Sequence, residues 1–474
     1  MKITFVEPPS LTKIVPERLA GCTYELYHFP DLGNLFALSL LHEHGFEVGY
    51  VDSVLERLHE DTFLKRIKEE RADYYVIHSV ILSKKTDIYY ISRIIEAQPE
   101  AVIVIHGPEP TRVPEQYLFN PSVLIFRGEI EENFLNFLKG GTLRGVSRIE
   151  NGSVKHYPPA DSPTDCNMLP HVMRDHPVLK KYSDSYYNPK FSRRPHTVMM
   201  ASRGCSFRCL FCVPNSVSFA REMEFWKYTG KKPKASVAEA DWVVEEFRKV
   251  KEQGYNSVMV VDDQFLWGKE RTLKICKGIK DLGLEWGCLS RADFLQEEEV
   301  VSALAEAGCI SIDIGVENFN QKILDYIQKD LSEDAIIRAI ENTAKYKISP
   351  KINIMIGTCP LEKPLDILYT IKRLKQLPVE NVMFSIATPF KGTQFYKFCQ
   401  QEGYLIDESD EINPFGKAMI SLPYLSNRDL ERYEKYAYRS FYIRPSIIWK
   451  RLKSYKNVSN FLNDIKITLK LLKR

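Results

Sequence analysis

No apolar run in the chain approaches the ~20 consecutive apolar residues that a membrane span requires, so no helix is expected to cross a bilayer. The first ten residues, MKITFVEPPS, lack the charged, apolar and cleavage regions of a secretory signal, and the expected location is cytoplasmic. Cysteine is too scattered for a small disulfide framework. The ten lie at positions 22, 166, 205, 209, 212, 276, 288, 309, 359 and 399, which fits a reducing compartment. Strong net charge is missing as well: the formal value is +3. Residues 428–474 hold 13 Lys/Arg against 4 Asp/Glu, but that segment alone does not call for nucleic acid, and no nucleic-acid partner is expected. What the chain does have is length, with 474 residues sufficing for two to four domains, each with its own core.

Residues 1–145 read as strands alternating with helices. Ile3–Val6, Glu47–Val51, Tyr74–Ile77, Ala101–Ile105 and Val123–Phe126 are short apolar runs, whereas Gly33–His44, His59–Glu70, Thr86–Ala97 and Glu131–Leu138 carry helical spacing. Such strands, apolar on both faces and joined by helices, predict a doubly wound, Rossmann-like parallel sheet. Ligands on these sheets sit beyond the carboxyl ends of the strands. The chain places Pro8-Pro9, Ser79, Gly107-Pro108 and Gly128-Glu129 there, although for any one of these turns a plain need for Gly or Pro explains the residue better. Residues 146–195 are poor in period and rich in Pro, Asp, Ser and Tyr, and read as a linker that wraps the surface or lends a wall to an active site. Cys166, His171 and His176 in it match no metal-ligand spacing.

From Thr197 to about Tyr396 the alternation resumes six times, with strands expected at 197–201, 257–261, 285–289, 310–314, 351–356 and 381–387. Residues 196–400 therefore predict an α/β partial (β/α)6 barrel of TIM type, with chemistry at the carboxyl ends of its strands. Its first strand runs straight into Ser202-Arg203-Gly204-Cys205-Ser206-Phe207-Arg208-Cys209-Leu210-Phe211-Cys212. Three cysteines in a C-x3-C-x2-C array, behind a strand and a Gly, suggest thiolates converging from a loop onto one iron–sulfur cluster. Three is the informative number, because a cluster held by three thiolates keeps one iron open for a further ligand. The competing reading makes Cys205, Cys209 and Cys212 one buried helix face; the polar residues Ser202, Arg203, Ser206 and Arg208 and the preceding strand argue against it.

The loop resembles the signature of the radical S-adenosylmethionine (SAM) enzymes, including the aromatic Phe211 before the third cysteine. The resemblance implies a 4Fe-4S cluster on Cys205, Cys209 and Cys212, whose open iron chelates the amino and carboxylate groups of SAM and whose reduction yields a 5′-deoxyadenosyl radical. Later strand ends match family segments in order. Asp262-Asp263 is similar to an acidic strand-end motif, where Asp263 would accept a hydrogen bond from the SAM amine or the substrate, or else cap the following helix. Arg291 offers a planar fork to the SAM carboxylate, and Glu317, in Gly315-Val316-Glu317-Asn318, would contact the amino group or ribose of SAM. Gly357-Thr358-Cys359-Pro360 and Pro389 to Thr393 complete the series. Cys359, at a strand end, would face the cavity and is a hydrogen-atom donor in some enzymes of this kind.

The N-terminal sheet in front of this domain resembles the cobalamin-binding domain of one large radical SAM subgroup, which includes the anaerobic Mg-protoporphyrin monomethyl ester cyclases and hopanoid methylases. The resemblance places cobalamin against Ser79, Gly107, Gly128 and Glu129. Asp-x-His-x-x-Gly is absent from the chain, so the lower cobalt face is expected to have no protein His from that motif, and His106 stands where the subgroup often has Gly.

Residues 401–474 form the expected helical extension. Phe441-Tyr442-Ile443-Arg444-Pro445 resembles a C-terminal feature of the subgroup, and Val458, Phe461, Leu462, Ile465, Leu469 and Leu472 line one helical face. That face suits peripheral contact with an anionic membrane, or docking on the barrel. The expected activity is methylation of an unactivated carbon, with an electron donor such as flavodoxin or ferredoxin and a small-molecule, lipid-like or tetrapyrrole-like substrate. Ring closure, oxidation or rearrangement is the alternative, and a non-catalytic redox-sensing module the third reading. Methylthiolation is disfavoured, since only Cys22 and Cys166 precede Cys205.

Overall fold

A computed structural model describes residues 1–12, 15, 17–19, 28–409 and 416–454. Within it the chain divides into two compact units. The first comprises Met1–Ser206, Pro214–Phe265 and Lys274–Trp286, and the second Phe207–Val213, Leu266–Leu273 and Gly287–Arg474.

The first unit opens with β1 (Lys2–Glu7), β2 (Glu47–Asp52), β3 (Tyr74–His78), β4 (Val102–His106) and β5 (Val123–Phe126), all paired in parallel. Their order is β2-β1-β3-β4-β5, the expected doubly wound sheet. Its strands are continuous apolar runs because helices cover both faces. Ile77, Ile103, Ile105 and Ile125 pack with Phe63, Ile67, Tyr90, Ile91 and Ile94 in one buried cluster. Each such side chain contributes about 1.5–3 kcal/mol by leaving water.

The segment expected as a linker begins instead with a hairpin. β6 (Val146–Glu150) and β7 (Ser153–His156) extend the sheet in antiparallel fashion past β5. The turn is Asn151-Gly152, both at positive φ, the pairing that matches the twist of a two-residue hairpin. Further along, Arg174 is buried and donates to Glu246 at 2.7 Å and to the Val198 carbonyl at 2.9 Å, while the His171 ring lies 2.8 Å from the same carboxylate. Arg174, with His171 beside it, therefore anchors the segment to β8 (His196–Met199) and the helix Ala240–Glu252.

After β8 come the short antiparallel pair β9 (Ser202–Arg203) and β10 (Ser236–Val237), then β11 (Ser257–Val260) parallel to β8. β12 (Glu285–Ser290) passes from the first unit into the second, which continues through β13 (Cys309–Glu317), β14 (Ser349–Ile356) and β15 (Asn381–Ile386). The six strands form one open sheet in the order β15-β14-β13-β12-β11-β8, a partial barrel without closure.

The helix Asn427–Tyr442, started by a Ser426/Asp429 capping box, covers the exposed edge of β15. The Tyr442 hydroxyl accepts from the Val382 N–H at 2.9 Å and donates to its carbonyl at 2.8 Å, and the Tyr438 hydroxyl accepts from the Phe384 N–H at 3.2 Å. Aromatic residues of the C-terminal extension thus satisfy an edge strand that would otherwise offer open pairing groups. The amphipathic face at 458–472 lies outside the described residues. Among those described, no helix is long and apolar enough to cross a membrane.

Candidate active site

The cysteine loop starts where β8 ends. Asp262, beyond the carboxyl end of β11, accepts from the Ala201 N–H at 2.7 Å and from the Ser202 hydroxyl at 2.6 Å, fixing the chain as it enters β9. Gly204 follows at φ +83 and donates to Ser218 Oγ at 2.8 Å. Asp263 accepts from the Asn215 N–H at 2.7 Å, and Asn215 in turn caps the helix Ser216–Thr229 through the Ser218 N–H at 3.0 Å. Burial pushes the Asp263 carboxyl up, against hydrogen bonds from Ser218, Asn215 and Gly204 that hold it down. Asp263 therefore fastens both ends of the loop. That is a capping role, but toward the helix after the cysteines rather than the one after its own strand.

None of the nine described cysteines forms a disulfide. Cys205 and Cys209 are half-buried and Cys212 is exposed, whereas the other six are buried. The three loop thiols are thus the accessible ones. Cys276, Cys288, Cys309 and Cys359 are core residues, and desolvation pushes the Cys359 thiol up to about 11.

In the second unit, the loop residues Phe207–Val213 lie among charged groups from the strand ends. The Arg291 guanidinium stacks on Phe207, 3.5 Å from the ring centre. Its fork donates to Asp293 at 3.1 Å and to the Lys329 carbonyl at 2.7 Å. The Leu210 N–H donates to the Ile327 carbonyl at 3.0 Å, and the Cys212 N–H to the Cys209 carbonyl at 3.1 Å. At the end of β13, after a register shift between Gly315 and Glu317, Glu317 takes φ +66. That conformation costs a non-glycine residue about 1–3 kcal/mol and is held here by its surroundings. The buried Glu317 carboxylate pairs with Lys329 Nζ at 3.0 Å, and Lys329 lies 5.8 Å from the centre of the Phe211 ring. Burial works to lower the Lys329 ammonium, yet Glu317, followed by Cys209, raises it above its usual value. Gly315 is required here, because a Cβ would come within 2.9 Å of Glu317 Oε1 and 3.1 Å of Lys329 Nζ.

Of the residues expected in this region, the structure gathers Cys209, Phe211, Arg291 and Glu317 in the second unit and places Cys205 and Asp263 in the first. Lys329 was missed by sequence reasoning, being one lysine in the connection between the helices Gln321–Tyr326 and Glu333–Lys345 with no motif around it. The donor types, three thiols on one short loop, fit an iron–sulfur cluster, and within the second unit Arg291 lies against Phe207 and Lys329 near Phe211 of that loop.

At the carboxyl edge of the N-terminal sheet, Gly107 has φ +109 and Gly128 φ +72, and a Cβ on Gly107 would lie 2.5 Å from the Ser79 carbonyl oxygen. At both positions the room a Cβ would take is filled by the protein, by Ser79 and His78 at Gly107 and by the Glu224 side chain at Gly128. Ser79 does not offer its hydroxyl to a ligand, since it donates to Asp87 at 2.5 Å and lies 2.8 Å from the Tyr117 hydroxyl. Glu129 is likewise engaged, 2.8 Å from Arg203. His106 is buried against His78, with ring centres 4.7 Å apart, and desolvation followed by the His78 charge keeps it well below its usual pKa.

An accessible cysteine trio at the head of an open six-stranded parallel sheet defines the radical SAM class, and residues 199–363 match the model of the Radical SAM superfamily. The match makes this stretch a Radical SAM domain, which implies a 4Fe-4S cluster and SAM as cofactors. Over 463 residues, covering 95% of this chain and 94% of its relative, the chain is 28% identical to an uncharacterised methyltransferase of Pyrococcus horikoshii. The anaerobic magnesium-protoporphyrin IX monomethyl ester cyclase of Rubrivivax gelatinosus is 24% identical over 331 residues, which cover 66% of this chain and 56% of the cyclase. Among solved structures, the radical SAM methyltransferase TsrM from Kitasatospora setae, with cobalamin and a 4Fe-4S cluster bound, shares the fold with a TM-score of 0.66 at 15% identity, covering 94% of this chain and 89% of TsrM.

Proposed function

We propose that the chain is a cobalamin-dependent radical SAM methyltransferase that places a methyl group on an unactivated carbon. One observation carries this reading: a doubly wound parallel sheet precedes the cysteine-bearing partial barrel in the same chain. The full-length similarity to a named methyltransferase supports it, as does the shared fold with TsrM, which binds both cofactors. Cys205, Cys209 and Cys212 would hold the cluster, and Gly107 and Gly128 lie at the sheet edge that would face the corrinoid. When bound, the cluster supplies an electron to the sulfonium of SAM and the corrinoid carries a methyl group.

The chain's own contribution is positioning. Glu317 and Lys329 hold one another 3.0 Å apart and present one anion and one cation beside Cys209 and Phe211. That is the charge complement of an amino-acid end. The ammonium of SAM suits Glu317 and its carboxylate suits Lys329, so binding replaces an internal ion pair by two external ones. Arg291, expected to grip the carboxylate, has its fork on Asp293 and the Lys329 carbonyl. Its place is to hold Phe207 and the Lys329 backbone in line.

The substrate belongs to the small molecules, with lipid-like and tetrapyrrole-like compounds in view, and a flavodoxin or ferredoxin would reduce the cluster. Exposed Ile443, Ile448 and Trp449 near the end of the described chain support peripheral membrane contact. The cyclase relative supports the second reading, ring closure without methyl transfer. Anaerobic protein prepared with cobalamin and given SAM bearing a deuterated methyl separates the two: label in the product means methylation, and unlabelled product means cyclisation. Cys209→Ala should lose iron and 5′-deoxyadenosine formation together, and retention of both defeats the proposal.

A further inference from the structure

We infer that Glu129 and Glu131 are positioning residues for the cluster, acting through Arg203 on the strand that presents Cys205. The segment Arg127-Gly128-Glu129-Ile130-Glu131 follows β5 of the N-terminal sheet, and its charged side chains reach both flanks of the cysteine loop. Before the loop stands Arg203, with no exposed surface, one guanidinium nitrogen 2.8 Å from Glu129 and another 2.5 Å from Glu131. Its face lies over the Phe36 ring at 5.4 Å. After the loop, the helix Ser216–Thr229 carries Arg221 and Glu224. Arg221 is 3.6 Å from Glu129 and donates to the Arg203 carbonyl at 2.7 Å, while Glu224 pairs with Arg127 at 3.0 Å. Three arginines and three glutamates, all buried, thus tie one strand end of the N-terminal sheet to the residues that enter and leave the loop.

Apolar side chains would anchor the same backbone without the cost of desolvating six charges. What the charges add is direction. A guanidinium fork pinned on two separate carboxylates permits one orientation of Arg203, and Arg203 stands two residues before the first ligand. Glu129 was expected at the corrinoid, but its carboxylate is spent on Arg203, two residues before Cys205.

The inference rests on the reading of Cys205, Cys209 and Cys212 as cluster ligands. Its test uses full-length, anaerobically reconstituted protein and the variants Glu131→Asp and Arg203→Lys, which keep the charges and shift their reach by about one bond. Four quantities are compared with the parent protein: iron and sulfide content, melting temperature, the EPR spectrum of the reduced cluster with SAM, and the rate of 5′-deoxyadenosine formation. Both variants should keep iron and melting temperature, show an altered SAM-bound spectrum, and lose about 100-fold in rate, the scale of a misplacement near 1 Å. The double variant should lose little more than either single one, because the residues share one network. A parent-like spectrum and rate in Glu131→Asp overturns the inference, as does a rate loss that only follows a fall in melting temperature. A parent protein that binds no iron sinks instead the reading of the cysteines.

Discussion

Replacing Glu362 by Gln should remove the pH dependence of stability that this residue contributes at the carboxyl end of β14. Glu362 is buried, accepting from the Gly357 N–H at 2.6 Å and from Asn318 Nδ2 at 3.0 Å. Desolvation dominates its environment and pushes the carboxyl from 4.5 up to about 8, against the hydrogen bonds from Gly357, Thr358 and Asn318. Between those two values the folded protein keeps the proton while the unfolded chain releases it. Stability therefore falls as pH rises through that window and levels off above it. At 1.36 kcal/mol per unit, the window corresponds to about 5 kcal/mol as an upper bound. Gln mimics the protonated form but loses one acceptor, at about 1 kcal/mol. The variant should thus be slightly less stable than the parent at pH 5 and more stable, by a few kcal/mol, at pH 8. Hydrogen exchange at the Gly357 amide, corrected for intrinsic rate, and urea unfolding at pH 5, 6.5 and 8 both read this out. Parallel pH profiles for the two proteins would refute the reasoning, because Glu362 would then be ionised inside the fold.

Three further substitutions test other parts of the site. Lys329→Met strands the buried Glu317 carboxylate, at about 3–5 kcal/mol, and should weaken SAM binding at least about 10-fold, measured by titrating the EPR change of the reduced cluster. Gly107→Ala forces a Cβ to within 2.5 Å of the Ser79 carbonyl at φ +109; the expected outcome is about 1–3 kcal/mol of destabilisation and loss of copurifying corrinoid with iron content unchanged. Tyr442→Phe removes the hydroxyl that pairs with both backbone groups of Val382, so the melting temperature should fall by an amount equivalent to about 1–2 kcal/mol.

What the sequence disclosed follows the range of the interactions involved. β3, β4 and β5 were legible because strands buried on both faces are runs of Val, Ile and Phe, whereas β14 and β15 were legible by their alternation of buried and half-exposed positions. The helix Ser216–Thr229 was not, since it buries Arg221 and Glu224 beside Val217, Ala220 and Phe225, and a buried face that mixes charge with carbon has no clean period. The Asn151-Gly152 hairpin did carry its signal, but within a stretch whose Pro and Ser content argued for a linker. Nothing in the sequence signals that Tyr438 and Tyr442 pair with the edge of β15, because their partners lie more than fifty positions away.

The same rule sorts the site. Cys205, Cys209 and Cys212 were readable because a cluster loop is local, its ligands spaced by turn geometry alone. The partners of that loop are not local. Arg203 meets Glu129 and Glu131 across 74 and 72 positions, and Glu317 meets Lys329 across 12. In isolation each is one charged residue among many, and the structure shows its meaning only when the buried partner appears. Ser79, Glu129 and Arg291 were assigned to cofactors as strand-end polar residues, and in the structure each is occupied by a protein partner. A strand end facing a ligand and a strand end fixing a loop draw on the same residue types. Bonding partners assign Ser79, Glu129 and Arg291 to holding the fold, and the proposed exchange at Glu317 and Lys329 is where the two charges of a ligand would replace a protein pair.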